Sequence, residues 1–147
     1  MPDTSKKIAV AADHGGFALK VIVVADLQKH GYEVIDLGTH SEDRVDYPDF
    51  ANMLAKEMEN GTPRGIAICG SGIGISMALN RKPHIRAALC HDVTSTRLAR
   101  QHNDANVLAL GGRLTGNVVA LDCVKIFLNT PFEGGRYADR LEKMKGC

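Results

Sequence analysis

Residues 69 to 76 read Cys-Gly-Ser-Gly-Ile-Gly-Ile-Ser, a thiol followed by glycines at three alternate positions, Gly70, Gly72 and Gly74. The apolar run Ile66-Ala67-Ile68 ahead of the thiol reads as a buried strand, and Ile75 to Asn80 reads as a helix. Strand, glycine loop and helix together make an anion site. The glycines let the backbone approach a ligand closely, and the first helical N–H groups point at it without intrahelical partners. The same N–H groups and the helix dipole favour the thiolate of Cys69. The pattern therefore points to a reactive thiol beside an anion cradle.

Rival readings of this loop fare worse. Cys69 could simply be a small buried residue, the common fate of a free cysteine. It sits, however, at the carboxyl end of its strand, where open α/β sheets bind ligands. A dinucleotide-binding turn needs G-x-G-x-x-G, and Ile75 stands where the third glycine belongs, although Asp92 lies at a plausible distance for a ribose-binding acid. A cysteine-dependent phosphatase loop needs an arginine six residues after the nucleophile, and Ile75 fills that place too. No Gly-Lys-Ser/Thr follows to make a Walker loop.

Alternating elements must position this loop. Ile8–Ala12 reads as a first strand ending in Asp13-His14-Gly15-Gly16, followed by a helix from about Phe17 to His30 with Gly31 as its C′ residue. That helix is apolar over much of its circumference, which burial on a second side, such as against another subunit, would explain. Glu33–Asp36 reads as a second strand. A helix opens at Pro48, carries Phe50, Ala51, Leu54, Ala55 and Met58 on one stripe, and ends at Asn60-Gly61. After the central strand and loop come a strand at Arg86–Cys90, a helix capped by Asp92, a strand at Val107–Leu110, a helix from Asn117 to Thr130 and a last helix from Arg136 to Met144. Five strands alternating with helices over short connections predict a parallel sheet covered on both faces. The expected fold is α/β: a three-layer α/β/α sandwich in Rossmann or flavodoxin-like strand order, with an extra C-terminal helix.

Composition sets the bounds. A chain of 147 residues, 44% hydrophobic and 24% charged, suits a single domain spanning 1–147. A formal net charge of +1 gives no global pull toward nucleic acid or an anionic membrane. The apolar run Val21 to Ala25 is far too short to span a bilayer, and the polar start Met1 to Lys7 lacks a signal peptide's apolar core. Four widely spaced cysteines include no C-x-x-C pair, which argues against a zinc site or a disulfide framework. The expectation is a cytoplasmic protein with reduced thiols, no cofactor and no metal.

In a parallel sheet every strand's carboxyl end faces one rim. Strand one delivers Asp13 and His14 there, strand three Cys69, Gly70 and Ser71, and strand five Arg113. His102 and Asn103 precede strand five and so belong to the opposite rim. If they take part in the chemistry, a second chain must supply them.

Five segments in order, Asp13-His-Gly-Gly-Phe17, Asp46-Tyr-Pro48, Cys69–Ser76, Arg100-Gln-His-Asn-Asp104 and Glu133-Gly-Gly-Arg136, closely resemble type B ribose-5-phosphate isomerases. The resemblance runs from strand one to the last helix, and allose- and galactose-6-phosphate isomerases share the family. It implies interconversion of an aldose phosphate and a ketose phosphate, with ribose 5-phosphate the default substrate and a six-carbon sugar phosphate the alternative. Such a reaction opens the sugar ring and moves a proton between adjacent carbons through an enediolate.

The resemblance implies Cys69 as the base, since Ile75 occupies the neighbourhood where some members carry glutamate. It implies an anion hole from the N–H groups around Gly70, Gly72 and Gly74, and Ser71 where many relatives have threonine. His102 matches the ring-opening acid/base and Asn103 a sugar-hydroxyl ligand, both from the partner subunit of a homodimer or tetramer with shared sites. Asp13, His14 and Tyr47 line the sugar and phosphate pocket, and Arg113, Arg136 and Arg140 clamp the phosphate.

Plainer roles stand beside these. Arg136 and Arg140 could pair with Glu133 or Glu142, Asp13 could cap its own turn, Tyr47 could merely pack, and His102 could only close a helix. His30, His40, His84 and His91 read as surface residues, and Cys90 and Cys123 as core. Two other functions compete: a non-catalytic phosphometabolite-binding module, and a flavin- or nicotinamide-binding carrier. The first needs neither Cys69 nor the Ser71–His102 pair. The second is opposed by the missing glycine and an aromatic content of 5%.

Overall fold

The computed structural model describes residues 3–147. Five strands, β1 (Lys7–Ala12), β2 (Glu33–Asp36), β3 (Gly65–Cys69), β4 (Ala87–Leu89) and β5 (Val107–Gly111), alternate with α1 (Phe17–Lys29), α2 (Tyr47–Glu59), α3 (Ile73–Leu79), α4 (Val93–Asn103) and α5 (Asn117–Asn129). A last helix, α6 (Arg136–Met144), follows. All pairings are parallel, in the order β2-β1-β3-β5-β4. The α/β class, the three layers and the C-terminal helix agree with the sequence.

The flavodoxin-like order does not hold at one edge, where β5 lies inside β4. Burial explains the exchange. All five residues of β5 are buried, whereas the three residues of β4 are half-buried, so the more apolar strand takes the interior. The short β4 leaves little unpaired backbone at the edge.

Alternate side chains of the sheet feed two cores. Ile8, Val10, Ile66, Ile68, Leu108 and Leu110 pack against α1 and α5, joined by Cys90 and Cys123. Ala9, Ala11, Ala67 and Val107 pack against α2 and α3. Burial pushes the Cys90 and Cys123 thiols above their ordinary range, as inert core residues require. Gly31 closes α1 at φ +85°, with the Tyr32 N–H returning to Leu27 O at 3.0 Å. Asp92 caps α4 by accepting from the Ser95 N–H at 2.7 Å, so it is committed to the helix rather than to a ribose. His84 is not a free surface residue: it is half-buried, with Nε2 2.8 Å from Ala55 O.

The apolar circumference of α1 hides a charge. Lys20 is 2% exposed and donates to both carboxylate oxygens of Asp36 at 2.7 Å. Asp36 Oδ1 also accepts from the Gly38 N–H at 3.0 Å, and Gly38 O in turn accepts from the Ala12 N–H. The pair thus holds the segment after β2 beside the end of β1. Burial opposes ionisation of Asp36, but the Lys20 ammonium and the Gly38 N–H outweigh it and hold the carboxyl below its usual range. A lowered folded value stabilises the fold above about pH 4, and this contribution fades as pH falls through the folded value. The two partners are unequal. Asp36→Asn leaves a buried ammonium unpaired and should cost roughly 3 kcal/mol, whereas Lys20→Met leaves a carboxylate that water can reach and should cost nearer 1 kcal/mol. Urea unfolding of both variants at pH 7 checks the order.

Candidate active site

Three loops at the carboxyl ends of β1, β3 and β5 press together through glycine. A Cβ on Gly15 would stand 2.9 Å from the Gly70 nitrogen, and one on Gly16 would stand 2.4 Å from Ile68 O. A Cβ on Gly111 would meet Ser71 O at 2.6 Å, and one on Gly112 would meet Gly15 O at the same distance. Side chains at these positions would hold the loops apart, and the rim would open.

Cys69 lies at the floor, 5% exposed, where the Gly72 N–H donates to its Sγ at 3.1 Å. Such a contact is stronger toward a thiolate than toward a thiol. Helix α3 begins at Ile73, two residues earlier than the sequence suggests, because Gly72 caps it at φ +79°. That left-handed turn aims the Gly72 N–H back at the sulfur. An alanine there would adopt a strained φ and meet Leu110 C and O at 2.9 Å and Leu89 Cδ1 at 2.6 Å. Gly72→Ala should therefore lose roughly 3 kcal/mol of stability and disturb the thiol, read as a lowered Tm together with lost activity.

The predicted neighbours gather here. Asp13 is 7% exposed, and its Oδ1 accepts from the N–H groups of Gly15 at 2.9 Å and Gly16 at 3.2 Å, so it does cap its own turn while standing at the rim. His14 Nδ1 lies 3.2 Å from both Val45 O and Val45 N, fastening the segment that leads into α2. Tyr47 opens α2 and lays its ring over Gly74, whose Cβ would come within 2.7 Å of it. The Arg113 N–H donates to Gly70 O, and its guanidinium passes 3.5 Å from the point a Gly70 Cβ would occupy. Ser71 Oγ accepts from the Ile73 N–H at 3.2 Å, which leaves its proton free to move.

The remaining predicted residues form a second group at the opposite rim. The register pairs Cys69 with Gly111 and Gly65 with Val107, so the strand that follows His102 and Asn103 runs roughly 13 Å before reaching the level of the thiol. His102 and Asn103 end α4, and the His102 ring stacks on Tyr137 of α6 at 4.3 Å between centroids and 11° between planes. His102 Nε2 is 3.8 Å from Glu133 Oε1. Arg136 and Arg140 lie over the same tyrosine ring, at 5.1 and 5.7 Å, and are exposed. Among the described residues neither forms an ion pair with Glu133 or Glu142. The predicted clamp is thus divided, with Arg113 at one rim and Arg136 and Arg140 at the other. Tyr137 escapes a sequence reading, and Glu133 enters it only as an arginine partner, because nothing in their spacing marks either as a neighbour of His102.

An α/β sandwich with a thiol in a glycine loop, ringed by aspartate, tyrosine and arginine, defines a class of small-molecule enzymes working on anionic substrates. Comparison narrows the class. The family described as Ribose/Galactose Isomerase matches residues 8–144, and the chain belongs to it. Ribose-5-phosphate isomerase B of Escherichia coli strain K12 is 48% identical over 138 residues, 93% of either chain. Among solved structures, ribose-5-phosphate isomerase B of Clostridium thermocellum superposes with a TM-score of 0.94 at 50% identity, covering 95% of both chains. The Mycoplasma genitalium enzyme with bound ribulose-5-phosphate gives 0.91 at 38% identity, over 95% of this chain and 94% of its own. No described helix is long and apolar enough to cross a membrane.

Proposed function

We propose that the protein interconverts D-ribose 5-phosphate and D-ribulose 5-phosphate, a step of pentose phosphate metabolism, in a homodimer or tetramer whose active sites are shared between subunits. The observation that carries this reading is Cys69 at the floor of the glycine loop, its sulfur held by the Gly72 N–H. The likeness to ribose-5-phosphate isomerases along nearly the whole chain supports the choice of sugar. A mere binding module would need no thiol there.

The chemistry follows from the placement. His102 of the partner subunit and Ser71 move the proton that opens the furanose ring, and Asn103 of the partner subunit holds a sugar hydroxyl. The Cys69 thiolate takes the proton from C2 of the open aldose, electrons flow into the carbonyl, and an enediolate forms. N–H groups around Gly70, Gly72 and Gly74 stabilise its oxygen. A proton passes from the C2 hydroxyl to O1 as the thiol returns its proton to C1, giving the ketose and restoring the thiolate. Asp13, His14 and Tyr47 shape the sugar pocket. Arg113 meets the phosphate from one chain, and Arg136 and Arg140 meet it from the other. These two are four apart on α6, which lets both reach one dianion. A catalytic thiolate needs reducing surroundings, so the cytoplasm is the expected compartment.

The test is turnover of ribose 5-phosphate by wild type and His102→Ala, with allose 6-phosphate run beside it and no metal added. Wild type should turn over the pentose phosphate. His102→Ala should lose about 10²-fold on this ring-closed sugar, yet retain activity on the 4-deoxy analogue, which lacks the hydroxyl that closes the furanose. Preference for allose 6-phosphate would move the reading to a six-carbon isomerase, and no turnover of either sugar would overturn it.

A further inference from the structure

We infer that Tyr137 is a positioning residue that sets the His102 imidazole for ring opening and ties the phosphate-binding arginines to it, an inference that rests on the ring-opening role proposed for His102. The His102 ring lies nearly parallel to the phenol, 4.3 Å away and tilted by 11°. A ring held face-on cannot swing about its Cβ–Cγ bond without breaking the stack, so one aromatic contact fixes the plane in which both nitrogens lie. Glu133 Oε1, 3.8 Å from Nε2, stands at the imidazole's edge, and the Glu133 N–H donates to Gln101 O, the carbonyl just before His102. Plane and edge are therefore set by two residues of the segment that leads into and forms α6.

The same phenol organises the cations. Arg136 Nη2 donates to the Tyr137 hydroxyl at 3.1 Å, and both guanidinium carbons lie within 6 Å of the ring centroid, where its negative face attracts them. Ring-opening base and phosphate ligands must act on opposite ends of one small sugar. Tyr137 touches both sets and makes their spacing a property of one side chain. It has little other structural duty, because α6 buries no residue of its own.

The test compares Tyr137→Leu and Tyr137→Phe in the assembled enzyme, using ribose 5-phosphate and its open-chain 4-deoxy analogue. Leucine removes both the stack and the hydrogen bond. It should lower kcat on ribose 5-phosphate roughly tenfold more than on the open-chain analogue, and raise KM for both. Phenylalanine keeps the stack, so the ratio of the two kcat values should return to that of wild type while KM stays raised through the lost Arg136 contact. A purely structural role would lower both rates together, and an equal loss on the two substrates overturns the inference. If His102→Ala leaves ring-closed turnover intact, the role of His102 itself is wrong. If His102→Ala abolishes it and Tyr137→Leu leaves the ratio unchanged, only the positioning role falls.

Discussion

Cys69→Ala should abolish isomerisation of ring-closed and open-chain substrates alike, with kcat down about 10³-fold and KM little changed. Cys69 is 5% exposed beneath a loop whose backbone is fixed by close glycine contacts, so deleting one atom leaves the cradle standing. The phosphate ligands proposed above are arginines rather than the thiol, so ground-state affinity should survive. What disappears is the only predicted base at the carbon acid, a loss of about 4 kcal/mol of transition-state stabilisation. The insensitivity to substrate form separates this variant from His102→Ala, which should fail only where a ring must open. Direct measurement of kcat and KM with both substrates checks it. Full activity in Cys69→Ala would remove the thiolate from the mechanism while leaving the reaction class in place.

Much of this was legible from residue order, for physical reasons. Short apolar runs punctuated by Gly31, Pro48, Asn60-Gly61 and Asp92 mark the elements closely, since each punctuating residue has a backbone or capping preference of its own. Parallel topology then sends Asp13, Cys69 and Arg113 to one rim and His102 to the other, and the structure places them so. The exchange of β4 and β5 was not legible. Both strands are short and apolar, and the choice between edge and interior depends on how completely each is covered, a tertiary quantity. The early start of α3 was hidden because a left-handed Gly72 can either extend a loop or cap a helix. The buried charge of Lys20 was not legible, since its partner Asp36 is sixteen residues away on another element. Tyr137 and Glu133 meet His102 only because α6 folds back on α4, and local pattern does not encode that return.

The central claim is that each active site takes its base from one chain and its ring-opening histidine from another. Coexpressing Cys69→Ala with His102→Ala tests it most directly. Each variant alone should retain about 1% or less of the wild-type rate on ribose 5-phosphate. In a mixed assembly, one kind of site combines the intact Cys69 of the His102→Ala chain with the intact His102 of the Cys69→Ala chain. Random pairing makes about a quarter of all sites wild type, so the mixture should recover about a quarter of the wild-type rate. The recovered sites should show the wild-type KM, because every group that touches the substrate in them is native. A mixture as inactive as its components, with subunit exchange verified, would contradict the shared site and require His102 to act within its own chain.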